Sequence, residues 1–147
     1  MGGASVSEKR EAIILVVDDE PDARMFLMNL LNSDGFYSVT AEDKTEGIQK
    51  AIEVDPSVII LNMMMPGEGG IHMYRKLKRH QKLKRIPVIM LSTLDKTTFL
   101  KCHNIYGSYQ CEEYKHIDTF MKKPPEADEL LSTIRELSSQ KFQTESL

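Results

Sequence analysis

The sequence predicts an α/β domain: a doubly wound, five-stranded parallel sheet with helices on both faces. Three observations carry this. Apolar runs of about five or six residues, β-branched and cut off by acids, prolines or polar residues, recur along the chain. Stretches with apolar residues at helical spacing lie between them. The two kinds alternate, and right-handed crossovers between parallel strands then give three layers. The 147 residues are the size of one domain, and 41% hydrophobic against 28% charged residues suits one real core.

Each element follows in order. Residues 12–17, Ala-Ile-Ile-Leu-Val-Val, form a strand buried on both faces. Pro21 opens the first helix, Phe26, Leu27, Leu30 and Leu31 give it an apolar stripe, and Gly35 stops it. Residues 36–41 make a second strand, and a helix over 44–54 ends at Asp55-Pro56. Residues 57–62 form the third strand. A Gly-rich loop, Pro66 to Gly70, leads to a helix over about 71–80. Residues 87–92 make the fourth strand, and Asp95 or Thr97 starts another helix that buries Phe99 and Leu100. Residues 117–121 form the fifth strand, and a last helix over about 126–138 turns Leu130, Leu131, Ile134 and Leu137 to one face. The ends, 1–10 and 140–147, are polar, without sustained period, and are expected to be flexible.

Composition narrows the function. Nineteen Lys and Arg against 22 Asp and Glu leave a net charge of −3, which gives no global argument for nucleic acid or an acidic membrane surface. No apolar run approaches a membrane span, and the N-terminus has no secretory h-region. Two cysteines exclude a disulfide framework, so a cytoplasmic setting is expected.

In open parallel sheets the ligand site lies beyond the carboxyl ends of the strands. Asp18-Asp19 follow the first strand, Asn62 ends the third, Ser92-Thr93 end the fourth and Lys122-Lys123-Pro124 follow the fifth. Adjacent carboxylates repel unless a cation sits between them, and hard oxygen donors suit Mg²⁺. The plainer reading of Asp18-Asp19 is a turn with acids at a helix N-terminus. A lysine at the same rim supplies a point charge for a phosphoryl group.

With these residues the sequence resembles the receiver domain of two-component response regulators, over about residues 13–137. The resemblance rests on Val16-Val17-Asp18-Asp19-Glu20-Pro21, on residues 58–67 with Asn62 among them, on Pro87-Val88-Ile89-Met90-Leu91-Ser92, and on Lys123-Pro124. It implies a flavodoxin-like sheet of order 2-1-3-4-5 over a receiver-like domain at 11–139. It also implies Mg²⁺-dependent phosphoryl transfer from a histidine kinase to an aspartate at the end of the third strand. Asp18, Asp19 and the carbonyl of Met64 match the metal ligands, with Asp19 the more direct. Ser92 matches the phosphate-contacting hydroxyl, Lys123 the site lysine and Phe120 the aromatic switch residue. Lys123-Pro124 matches a cis peptide.

The resemblance departs at the phosphoacceptor position, which Asn62 fills. Asn has nearly the shape of Asp, but its neutral amide is a poor nucleophile and forms no acyl phosphate. Asp18 and Asp19 then carry two negative charges in place of three, so Mg²⁺ is expected to bind weakly or not at all. Asn62 fits a natural pseudo-receiver or an engineered Asp→Asn block. The natural reading agrees with the other departures: Gly69 at a frequently acidic position, Thr93 narrowing access, and a long stretch over 104–115.

Two further features have plain explanations. Residues 75–85 hold seven Lys or Arg in eleven, read as a solvated helix face, with an acidic or nucleic-acid partner as the alternative. Cys102, His103, Cys111 and His116 lack the close spacing of structural zinc ligands.

The expected function is therefore a stand-alone receiver-like module acting through protein–protein contacts. Its partner is a histidine kinase or another signalling protein, with no direct nucleic-acid contact and no membrane, and the sequence does not specify an oligomeric state. The alternative is a Mg²⁺-dependent small phosphatase or phosphotransferase using Asp18 or Asp19 as nucleophile. That reading takes these acids from the metal and leaves no separate general acid.

Overall fold

The structure is a computed structural model and describes residues 12–95, 97, 98, 117 and 119–146. Five parallel strands form one sheet in the order β2-β1-β3-β4-β5. They are β1 (Ile13–Val17), β2 (Tyr37–Ala41), β3 (Val58–Asn62), β4 (Val88–Ser92) and β5 (Thr119–Lys122). Four α-helices lie among the described residues: α1 (Pro21–Ser33), α2 (Lys44–Val54), α3 (Gly69–Arg79) and α4 (Ala127–Ser146).

The apolar runs form strands because both faces of the sheet are covered, so alternate residues enter two separate cores. Leu15, Val17, Ile59, Leu61 and Met90 pack with Ala51 of α2 and with Met73 and Leu77 of α3. Ile14, Val16, Ile60, Ile89 and Leu91 pack on the other face with Leu27 and Leu31 of α1 and with Leu130 and Ile134 of α4. Full burial of each such side chain contributes about 1.5–3 kcal/mol.

Several boundaries differ from the sequence expectation. The third helix starts at Gly69 instead of Ile71 and follows a 3-10 turn, Pro66–Glu68. A Cβ at Gly70 would lie 2.2 Å from the Asn62 carbonyl oxygen and 2.6 Å from Met63 Cα, so only glycine lets α3 begin against the end of β3. Gly67, at φ 66°, occupies the left-handed region within the preceding turn. The fifth strand runs Thr119–Lys122, later than 117–121, because its pairing with β4 extends to Ser92↔Lys122. The last helix continues to Ser146, through the segment from 140 for which the sequence predicts a flexible tail. The segment after Ser138 contains no Gly or Pro to stop it. The N-terminal segment 1–10, most of the helix expected after Asp95, the stretch 104–115 and the Cys/His group at 102–116 lie outside the described residues.

The register builds the rim. Val17 pairs with Leu61, Asn62 with Leu91, and Ser92 with Lys122. The residues after β1, β3, β4 and β5, namely Asp18, Met63, Thr93 and Lys123, therefore leave the sheet at the same edge.

Candidate functional site

Asp18 stands at the centre of the rim and is 1% exposed. Its backbone N–H donates to the Ala41 carbonyl, extending the β1–β2 ladder by one bond. Its carboxylate is fully partnered: Oδ1 accepts from the Glu20 N–H at 3.0 Å and from Asn62 Nδ2 at 3.2 Å, and Oδ2 accepts from Lys123 Nζ at 2.7 Å. Three donors, one of them charged, offset the penalty of burying this carboxylate.

Asn62 is also buried, and its amide bridges the two acids. Nδ2 donates to Asp18 Oδ1 and, at 3.0 Å, to Asp19 Oδ1. Oδ1 accepts the Met64 N–H at 3.2 Å. The amide's orientation follows from this network: the Met64 N–H needs an acceptor and the carboxylates need donors. Asp19 and Glu20 are exposed, and the carboxylate oxygens of Asp18, Asp19 and Glu20 lie within 4.8 Å of one another.

On the β5 side, the Lys123 N–H donates to the Ser92 carbonyl at 2.7 Å, and Lys123-Pro124 is a cis peptide. Ser92 is buried, and its Oγ accepts the Leu94 N–H at 3.0 Å. Phe120 is partly buried against the core on the α2–α3 face, and Thr93 is exposed. Met64 is half exposed at the mouth of the site.

Hydrogen bonds thus link Asp18, Asp19, Asn62, Lys123 and the Met64 backbone directly, and Ser92 joins through the Lys123 N–H. Sequence reasoning missed three contributors. Arg24 Nη1 donates to the Asp18 carbonyl at 2.7 Å from the first turns of α1, with Nη2 3.6 Å from Glu42. Glu20 adds a third acid, and Gly70 allows the close approach beneath Asn62. An arginine one turn after Asp-Asp-Glu-Pro was the available signal for the first.

The oxygen chemistry of Asp18, Asp19 and Glu20 fits a hard divalent cation such as Mg²⁺. The Asn62 amide competes with it. Its NH₂ group points at both Asp18 and Asp19, and turning its oxygen toward a cation would forfeit the Met64 N–H bond.

The family model for the response regulator receiver domain matches residues 14–135. The chain belongs to this family. Receivers are signalling modules of two-component systems, and they bind Mg²⁺ at an acidic site of this kind. Protein PilH of Pseudomonas aeruginosa is 30% identical, with 84% of this chain and 94% of that protein covered. The Escherichia coli phosphate regulon regulator PhoB is 39% identical over 79 residues, 54% of this chain but 34% of PhoB, so the match spans about a third of that relative. Among solved structures, the receiver domain of a Syntrophus aciditrophicus signal transduction histidine kinase aligns with a TM-score of 0.71 and 27% identity. That alignment covers 88% of this receiver and 91% of the other. Vibrio cholerae CheY4 aligns with a TM-score of 0.68 and 25% identity, covering 86% and 98%. No helix among the described residues is long and apolar enough to cross a membrane.

Proposed function

We propose that this receiver is a cytoplasmic module that signals through protein–protein contacts without forming an aspartyl phosphate at the end of β3. The single observation that carries the reading is the bonding of Asn62. The residue at the acceptor position is an amide that donates to Asp18 and Asp19 and accepts from Met64. Attack on phosphorus needs a carboxylate oxygen, and Asn62 offers neither that charge nor a free lone pair on nitrogen. Its NH₂ group also supplies part of what a cation would supply, so Mg²⁺ binds this site weakly.

Ser92 and Lys123 are then retained as the phosphate-contact positions, and Phe120 as the switch position, of a site whose acceptor is lost. The partner is a histidine kinase or another signalling protein. In the Syntrophus relative, a receiver of this fold belongs to such a kinase. The phosphatase alternative draws no support from the geometry. Asp18 is buried with both oxygens bonded, and Asp19 accepts from Asn62.

Intact-mass spectrometry after incubation with acetyl phosphate and Mg²⁺ tests the proposal. The unchanged protein keeps its mass. A gain of one phosphoryl group on any aspartate of the rim would overturn the reading.

A further inference from the structure

We propose that the groove between α2 and α3 binds a small polyphosphate-bearing molecule, at a site separate from the rim of carboxylates. The groove has a volume of about 490 Å³, within the range of small-molecule sites. Lys44 and Ile48 line it from α2. His72, Arg75, Lys76 and Arg79 line it from α3, together with His80, the residue that ends the helix. Every lining side chain among the described residues except Ile48 is a Lys, Arg or His.

The placement is systematic. His72, Arg75, Lys76 and Arg79 recur at helical spacing, so they form one stripe, while Ile71, Met73, Tyr74 and Leu77 of the same helix are buried. Like charges at these spacings repel one another, and among the described residues no Asp or Glu lines the groove. The chain holds no acid at all between Glu68 and Asp95, although its net charge is −3. Glu68 lies at the margin, 3.7 Å from His72 Nε2.

The basic stretch divides into two kinds of residue. Lys78 Nζ donates to the carbonyls of Ile86 and Lys84, at 3.3 and 3.5 Å, and so holds the turn after α3. Lys44 and Lys76 make no hydrogen bond or ion pair among the described residues. His80 Nδ1 accepts the Lys82 N–H at 3.1 Å, so the neutral ring keeps its proton on Nε2 and offers a donor.

The ammonium groups of Lys44 and Lys76 facing one cleft, with further cationic side chains along it, match a ligand with several linked anionic, acceptor-only centres. Linked phosphates have that chemistry. Among the described residues no aromatic side chain lines the groove to stack a base, so the phosphate chain is taken as the recognised part.

Isothermal titration of the full chain with inorganic tripolyphosphate, and separately with ATP, tests this. EDTA is present throughout, so that no cation bridges a phosphate to the acidic rim. Tripolyphosphate is expected to bind with Kd below about 1 mM at ~0.1 M salt, and more weakly as salt rises. Equal affinity for ATP assigns recognition to the phosphates alone, and tighter binding of ATP identifies a nucleotide as their source. The double variant Lys44→Ala/Lys76→Ala should weaken binding about tenfold or more, and Lys82→Ala/Lys84→Ala less than about twofold. Circular dichroism checks that each folds, and Arg79→Gln is the substitute should the first double variant fail to fold. Absence of tripolyphosphate binding overturns the proposal. Equal losses in the two double variants also overturn it, because they mean a diffuse basic surface. So does a single-stranded RNA that binds tighter than tripolyphosphate and is insensitive to the groove variants.

Discussion

Lys123 Nζ donates to Asp18 Oδ2 at 2.7 Å, joining the loop after β5 to the end of β1 across 105 positions of sequence. The side chains are 16% and 1% exposed, so this is a partly buried, charge-assisted bond, unlike the exposed Arg135–Asp34 pair on the surface. It ties together the two flanks of the site between which Asn62 lies.

Replacing Lys123 with Met keeps most of the apolar stem and removes the charge. Asp18 then stays buried with only the Glu20 N–H and the Asn62 amide. Stability should fall by about 2–4 kcal/mol, somewhat below the full effect for a buried pair because those two donors remain. Adding Asp18→Asn should recover part of the loss, since the uncompensated charge is then gone. Urea unfolding of the single and double variants reads both. A loss under about 1 kcal/mol in Lys123→Met would show that the pair is solvated.

Gly70→Ala should be among the most disruptive small substitutions in the chain. The added methyl meets the backbone of Asn62 and Met63, which no rotamer change relieves. A loss of about 2–4 kcal/mol is expected, at or above the usual range for overpacking because the obstacle is main chain. Chemical denaturation measures it, and an Ala variant as stable as the parent would contradict the close approach of α3 to β3.

Much of this was legible in the sequence, for a definite reason. β1, β3 and β4 are covered on both faces, so their residues are uniformly apolar, and the acids, amide and hydroxyl that end them stand out. Asp18, Asp19, Asn62, Ser92 and Lys123 were readable as one rim because a parallel sheet brings its strand ends together. The start of α3 was not legible. Gly69 and Gly70 are weak helix formers, and their inclusion depends on a backbone contact with β3 that no local pattern encodes. The end of β5 was hidden because Lys122 is polar and exposed, yet pairs with Ser92. The orientation of the Asn62 amide was likewise out of reach, since the Met64 N–H and two carboxylates set it.

Asn62→Asp should destabilise the metal-free protein. The change removes two donated hydrogen bonds and sets a third carboxylate beside Asp18 and Asp19. A loss of about 1–3 kcal/mol is expected in EDTA. Mg²⁺ at about 10 mM should restore most of it, because a ligand bound only by the folded state stabilises that state. The unchanged protein should respond little to the same Mg²⁺. Thermal unfolding of both proteins, with EDTA and with Mg²⁺, gives the four midpoints needed, and an equal Mg²⁺ response in the two would contradict the competition between amide and cation.

The most direct measurement is the intact mass of Asn62→Asp beside the unchanged protein after incubation with acetyl phosphate and Mg²⁺. The variant places a carboxylate at the end of β3, beside Asp18, Asp19 and Lys123, and so supplies the missing nucleophile. It should gain one phosphoryl group in a Mg²⁺-dependent reaction, while the unchanged protein gains none. A variant that folds, binds Mg²⁺ and still takes no phosphoryl group would contradict the claim that Asn62 is what blocks this site.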